Sequence, residues 1–283
     1  MTAAPPAGAA KLAVAGLTLD YVNPETGIAH RAVERLDLTV ARNEFLCVVG
    51  PSGCGKSTLL SAIAGFLAPT SGTILMDGRP VDGPGAERGV VFQEYALLPW
   101  MNVLDNAALG LKLRGMGKAQ RYEVARRFLG IANLHGVEHK YPHELSGGMK
   151  QRVAVARTLA NAPEVMLMDE PFAAVDAQTR ADLEDLIRDL WHRFKVTTLF
   201  VTHDIDESVY LGERVIMLSS SPTVVQEDLV IDLPAERDQL ETRSLPRFTE
   251  LRGHVYEQIQ KAKKAAPQGS SSDTDATEVA HVG

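Results

Sequence analysis

EFLCVVGPSGCGKST, Glu44–Thr58, governs how the rest of the chain is read. Its first half is a short, nearly continuous apolar run, suited to a strand covered on both faces. Its second half matches G-x-x-x-x-G-K-[ST], with Gly50, Gly55, Lys56 and Ser57 at the fixed positions. A helix over Lys56–Phe66 is predicted to follow. In such a loop the glycines let the backbone wrap closely, so that N–H groups point at phosphate oxygens. The candidate cradle is Gly50, Pro51, Ser52, Gly53, Cys54, Gly55, Lys56, Ser57 and Thr58. Lys56 would reach the β- and γ-phosphates, and the Ser57 hydroxyl would ligate Mg²⁺. The competing reading, a glycine-rich turn with a chance lysine, is disfavoured by the strand before it and the helix after it.

Outward from this loop, Leu12–Val22 and Ala32–Val40 alternate apolar and polar residues, as half-buried strands do. Thr73–Met76 and Gly89–Phe92 read as further strands. From Asn102 to Ala160 strand signals vanish, and Val103–Leu113, Lys118–Leu129 and Gly147–Ala160 show helical spacing. Apolar strands return at Val165–Met168, Thr197–Val201 and Arg214–Leu218, alternating with helices at Gln178–Phe194 and Asp206–Leu211. The pattern predicts a mostly parallel α/β sheet interrupted by a helical insertion. A last amphipathic helix is expected over Arg247–Lys264. The ends, residues 1–10 and 265–283, are rich in small, polar and proline residues and are expected to be disordered.

Bulk properties narrow the class. The 283 residues carry a net charge of −7, which argues against nucleic acid as a partner. Only two cysteines occur, Cys47 in the apolar run and Cys54 in the glycine loop, so no disulfide framework is expected. No stretch approaches the roughly 18–20 apolar residues of a spanning helix, and the start lacks the apolar segment of a signal peptide.

Residues near four more strand ends carry candidate chemistry. VMLMDE, Val165–Glu170, is an apolar strand ending in two acids. On a parallel sheet that end faces the ligand crevice, where Asp169 can hold Mg²⁺ and Glu170 can orient an attacking water. Taken alone, a capping acidic pair after a core strand is an equal reading. VTHD, Val201–Asp204, repeats the layout, and His203 is placed to sense a γ-phosphate; a surface or capping histidine is the alternative. Gln93, in VVFQEY, lies where the sheet gives way to the helical insertion. A neutral glutamine can touch metal or water without fixing a charge, and can equally be a surface residue. Tyr21, in LDYV, could stack on adenine or serve as edge packing.

A second anion-binding feature stands at ELSGGMKQRVAVARTLA, Glu144–Ala160. Ser146, Gly147 and Gly148 open a helix, whose first N–H groups lack partners and whose dipole end is positive. Ser146 is also a plain N-cap candidate, and the two roles are compatible.

The ordered set GPSGCGKST, VFQ, LSGGMKQR, VMLMDE and VTHD resembles the ATP-binding subunit of ATP-binding-cassette (ABC) transporters over about residues 12–264. LSGGMKQR is the specific element. The resemblance implies a P-loop NTPase (RecA-like) α/β core with an antiparallel β subdomain and an inserted helical subdomain. The corresponding division is 11–93 plus 161–235 for the nucleotide-binding core with its β subdomain, 94–160 for the helical subdomain and 236–264 for a C-terminal helical segment. It implies ATP and Mg²⁺ as ligands, with metal contacts from Ser57, Gln93 and Asp169. Tyr21 becomes the adenine-stacking residue, Gln93 the Q-loop residue, Glu170 the catalytic acid and His203 the switch histidine. It also implies a head-to-tail homodimer in which Ser146, Gly147 and Gly148 serve the partner's nucleotide. Asp176 belongs to the same nucleotide-facing set, in the D-loop FAAVDA, where Val175 replaces the family's usual leucine.

Around the Q-loop, Asp82–Gly115 looks like the importers for nitrate, sulfonates and taurine, closest to the taurine type. The implied assembly adds two transmembrane permease subunits and an external solute-binding protein, with this chain peripheral on the cytoplasmic face of the cell membrane. LLPW, Leu97–Trp100, is either a docking patch for a permease or subdomain core. After Leu218 a strand-like stretch and one helix remain, too little for an effector-binding domain. A soluble ATPase of the same superfamily and a P-loop kinase are the rival functions. The single cassette and acidic balance weigh against the first, and the LSGG element against the second.

Overall fold

The computed structural model describes residues 10–22 and 29–265. Two sheets organise them. The smaller is antiparallel, in the order β2-β1-β4-β5, from β1 (Ala10–Val22), β2 (Ala29–Ala41), β4 (Ser71–Met76) and β5 (Arg79–Pro80). The larger is six-stranded, in the order β10-β9-β3-β8-β7-β6. Its members are β3 (Phe45–Val49), β6 (Arg88–Val91), β7 (Val165–Asp169), β8 (Thr197–Thr202), β9 (Arg214–Leu218) and β10 (Val225–Val230). All of its pairings are parallel except β9 with β10.

The apolar run of β3 is explained by burial on both sides. Phe45, Cys47 and Val49 face one apolar layer, and Leu46 and Val48 face another. On the first side lie the helices α2 (Val103–Ala107), α4 (Lys118–Ile131), α5 (Gly147–Ala160), α6 (Ala177–Phe194), α7 (Ile205–Leu211) and α8 (Pro246–Ala265), with α3 (Leu109–Leu113) beside α5. On the second side lie α1 (Lys56–Ala64) and the antiparallel sheet. Phe200 is the hub of the first layer, its ring 5.9 Å from Phe45 and 5.5 Å from Phe172. A buried phenylalanine of this kind contributes about 3–5 kcal/mol relative to alanine.

Polar links join the two sheets. The Lys11 ammonium, fully buried, pairs with Asp77 at 2.5 Å and with Glu164 at the foot of β7. Thr223 donates its N–H to Ala32 and accepts from Glu34, both at 3.0 Å, holding β2 against the segment after β9.

The mixed α/β fold expected from the sequence is the one found, with differences at particular points. The helix expected over Val103–Leu113 is two short helices that meet at Ala108. The second lies against α5 at Gly110, where a Cβ would stand 2.3 Å from the Asn161 amide. α1 ends at Ala64, because Gly65 takes a left-handed φ of 85° and caps the helix through Ala62 and Ser61 carbonyls. β5, two residues long and containing proline, carries no sequence signal. The expected disorder of 1–9 and 266–283 lies outside the described residues, whereas Ala10 opens β1 and Ala265 closes α8.

Candidate nucleotide-binding site

Strand register brings the motifs together. In the parallel sheet Val49 is level with Thr202, and Asp169 with Val201. The residues that follow these strands, Gly50, Glu170 and His203, therefore emerge at one edge. Glu170 is fixed there by its N–H, which donates to the Val201 carbonyl at 2.9 Å. It holds a left-handed φ of 42°, uncommon for a residue with a side chain. Strain of this kind is stored at functional sites.

Two glycines of the loop, Gly50 and Gly55, are sterically required. A Cβ on Gly50 would stand 2.9 Å from the Cys54 sulfur, and Gly55 has a φ of 103° with the Ala32 carbonyl 3.2 Å from its missing Cβ. Lys56 is almost fully buried, and its ammonium donates to the Gly50 and Pro51 carbonyls, each at 3.1 Å. It also lies 3.8 Å from a Glu170 carboxylate oxygen. Cys54 is buried inside the loop, and burial pushes its thiol up, away from the reactive thiolate. Cys47 is buried in the core, as expected.

Ser57 Oγ donates to Asp169 Oδ1 at 3.0 Å. This hydrogen bond ties the first turn of α1 to the tip of β7 and pairs a hydroxyl with a carboxylate, oxygen donors that suit a hard cation. Burial is the largest influence on Asp169 and raises its carboxyl; the Glu170 charge adds to it, while Ser57 and Lys56 oppose it. A cation beside Asp169 would relieve that raised affinity for a proton. Across the cleft, Glu170 Oε2 lies 2.8 Å from His203 Nδ1.

A pocket of about 440 Å³ lies beside these groups, bordered by Lys56, Ser57 and Glu170 but not by Asp169 or His203. Its walls include Ser52, Gly53, Lys56, Ser57, Thr58 and Glu170, together with Tyr21 at the end of β1. Tyr21 is 56% exposed, so it is free to present its ring rather than being packed in the core. His30 and Ser221, joined at 3.0 Å, complete the wall beside Tyr21. Neither lies in a motif; they reach the pocket through the β2 link described above.

Other expected site residues stand apart from this pocket. Gln93 is exposed in the segment after β6. The backbone just beyond it is held by Arg157 of α5, which donates to the carbonyls of Tyr95 (2.9 Å) and Ala96 (2.6 Å). Ser146 caps α5, accepting from the Met149 N–H at 3.3 Å. Gly147 and Gly148 have packing roles that sequence reading missed. A Cβ on Gly148 would stand 2.3 Å from the Thr179 methyl, and one on Gly147 would stand 3.0 Å from the Tyr95 hydroxyl. Asp176 caps α6, accepting from the N–H and the hydroxyl of Thr179.

His203 is flanked by a polar ring that no motif announces. Thr202 Oγ1 donates to Glu207 at 2.5 Å and accepts from the Asp204 N–H at 2.9 Å. Arg180 of α6 donates to Asp204 at 3.0 Å and lies 3.5 Å from Glu207. Glu207 is buried, and burial pushes its carboxyl up to about 8.

A P-loop core with a second antiparallel sheet and an inserted helical segment defines a nucleotide-hydrolysing cassette. A model of the ABC transporter family matches residues 33–173. The nitrate import ATP-binding protein NrtD of Synechocystis is 48% identical over 213 residues, 75% of this chain and 80% of its own. The taurine import ATP-binding protein TauB of Escherichia coli is 44% identical over 238 residues, 83% of this chain and 93% of its own. Among solved structures, a dimeric ATP-binding cassette in a post-hydrolysis state with ADP and phosphate matches at a TM-score of 0.69 and 31% identity, over 78% of this chain and 98% of that one. The chain belongs to the ABC transporter family, as an ATP-binding cassette and ATPase.

The buried Glu207 has a consequence for stability. Its native carboxyl holds a proton up to about 8, whereas an unfolded glutamate loses it near 4.5. Its contribution is therefore full below the ordinary carboxylate range and is lost as pH rises towards 8. The groups facing it are Thr202, Asp204, Glu184 and Arg180. Urea unfolding from pH 5 to 9 should show Glu207→Gln gaining on the natural chain as pH rises; a pH-independent difference would contradict this.

Proposed function

We propose that this chain is the ATP-hydrolysing subunit of an importer for taurine or a related sulfonate. It would work as a head-to-tail homodimer, peripheral on the cytoplasmic face of the membrane, beneath two permease subunits supplied by an external solute-binding protein. The observation that carries the solute class is the resemblance of Asp82–Gly115 to the taurine type. Nitrate is the second reading, favoured by the 48% identity to a nitrate import protein. Nitrate is a small oxyanion and taurine carries a sulfonate oxyanion group. That no helix of the described residues is long and apolar enough to cross a membrane agrees with a subunit that relies on permeases.

In this reading the Gly50–Thr58 loop wraps the phosphates and Tyr21 stacks on the adenine. Lys56 exchanges its two loop carbonyls for phosphate oxygens, a move its 3.1 Å contacts leave it poised to make. Ser57 and Asp169, with Gln93, would hold Mg²⁺, which supplies positive charge to the β- and γ-phosphate oxygens. Glu170 orients and polarises the attacking water, and His203, held on Glu170, faces the γ-phosphate. Charge on the transferring group is met by Lys56, His203 and the partner's Ser146 helix. Asp176 stands with that helix, on the partner-facing side.

Permease docking is supported by a groove of about 460 Å³ beside the Gln93 segment. Phe66 and Phe92 stack at its wall, ring centroids 6.3 Å apart, and Leu113 is 79% exposed. Trp100 of LLPW is 70% exposed, while Leu97 packs against the core, so only part of that tetrapeptide is available to a partner.

Two measurements test the reading. Glu170→Gln should bind ATP, hydrolyse it at least about a hundredfold more slowly and accumulate as a closed dimer by size-exclusion chromatography; rapid turnover by that variant would remove Glu170 from its role. Reconstituted with its permeases and solute-binding protein, the chain should hydrolyse ATP faster when taurine is supplied outside. Stimulation by nitrate and not by taurine would replace the first reading with the second.

A further inference from the structure

We propose that Arg180 is a positioning residue for His203, and that the first turn of α6 links a chain's LSGG helix to its own switch histidine. The proposal rests on the role given above to His203.

The residues before and after His203 belong to one closed ring. Thr202 bonds Glu207, Asp204 bonds the Thr202 hydroxyl through its N–H, and Asp204 Oδ1 accepts from the Glu207 N–H at 3.1 Å. Everything in that ring lies on β8 or α7 except Arg180, which enters from α6 and reaches Asp204 at 3.0 Å. Arg180 is thus the ring's brace against the rest of the molecule. Its Nε is buried without a well-directed hydrogen bond, 3.5 Å from Glu207, so the brace rests on the Asp204 contact.

The other side of the same turn meets the LSGG helix. Thr179, next to Arg180, lies against Gly148 so closely that no side chain fits there. Asp176 fixes this turn by capping it with two hydrogen bonds from Thr179. A displacement of α5 at Gly148 is therefore passed to Thr179, and through the rigid first turn to Arg180 and Asp204. His203 Nδ1 remains tied to Glu170 at 2.8 Å, so a shift of its backbone re-aims the ring rather than detaching it. Misplacement by about 1 Å can cost as much as a hundredfold in rate.

An exposed ion pair is the plain alternative. Arg180 and Asp204 retain about a third of their side-chain exposure, 32% and 28%, so the pair adds little to stability and its loss should leave the fold intact. The test compares Arg180→Gln, Arg180→Lys, Asp204→Asn and the Arg180→Gln/Asp204→Asn double variant, with His203→Ala as reference. Expected for Arg180→Gln is a fall in kcat of about tenfold, an unchanged KM for ATP, an unchanged Tm and a Hill coefficient for ATP that drops towards one. Arg180→Lys should restore part of kcat, and the double variant should be no worse than either single one. If Arg180→Gln loses Tm and ATP affinity together, and Arg180→Lys and Asp204→Asn do likewise, the residue is structural and the proposal fails. It also fails if His203→Ala is inactive while Arg180→Gln keeps its full kcat and cooperativity. Full activity in His203→Ala would instead overturn the role of His203, and the proposal would fall with it.

Discussion

Parallel register between β3, β7 and β8 is the constraint on which the site depends. Strands that end within a residue of level release their next residues at one edge, and here those residues are Gly50, Glu170 and His203. Residues from three distant parts of the sequence meet at that edge. The register is itself enforced by burial. β3, β7 and β8 send alternate side chains into two separate apolar layers, so a one-residue slip would exchange every layer assignment at once. The Ser57–Asp169 hydrogen bond then fastens the loop to the next strand tip but one, at the point where hydroxyl and carboxylate can share a cation.

The two anion-binding features of the chain differ in how they are finished. The Gly50–Thr58 loop is lined by its own neighbours, Tyr21, His30 and Ser221 among them, and has a pocket. Ser146, Gly147 and Gly148 open a 14-residue helix, and none of them borders that pocket. Gly148 is buried where α6 packs against α5, so this glycine serves close packing, while the capping Ser146 beside it stays exposed. In the proposed head-to-tail pair, that capped helix start would receive a phosphate brought by the partner.

Sequence legibility followed how local each signal is. The strand-loop-helix at Gly50 was readable because its glycines, lysine and flanking elements are contiguous, and helix α5 was bounded correctly by Ser146 at one end. The parallel sheet was readable because the middle of each of its strands β3, β7, β8 and β9 is an apolar run. What escaped was tertiary. The break at Ala108 depends on α5, and β5 is too short to carry a pattern. His30 and Ser221 reach the pocket only through the pairing of β2 with the Thr223 segment. Arg180 and Glu207 look like ordinary charges on helices; only the fold turns them into a ring around His203. Composition had no means of marking Glu207 as a buried acid.

Whether one chain completes its partner's site can be measured directly. Lys56→Ala disables the cradle, and Ser146→Arg blocks the helix start; each variant alone should be inactive as an ATPase. In a mixed dimer, both lesions fall in one site and the other site is whole. Mixing the two inactive proteins should therefore restore ATP hydrolysis. A mixture as silent as its components, or hydrolysis by Ser146→Arg on its own, would contradict a site shared between two chains.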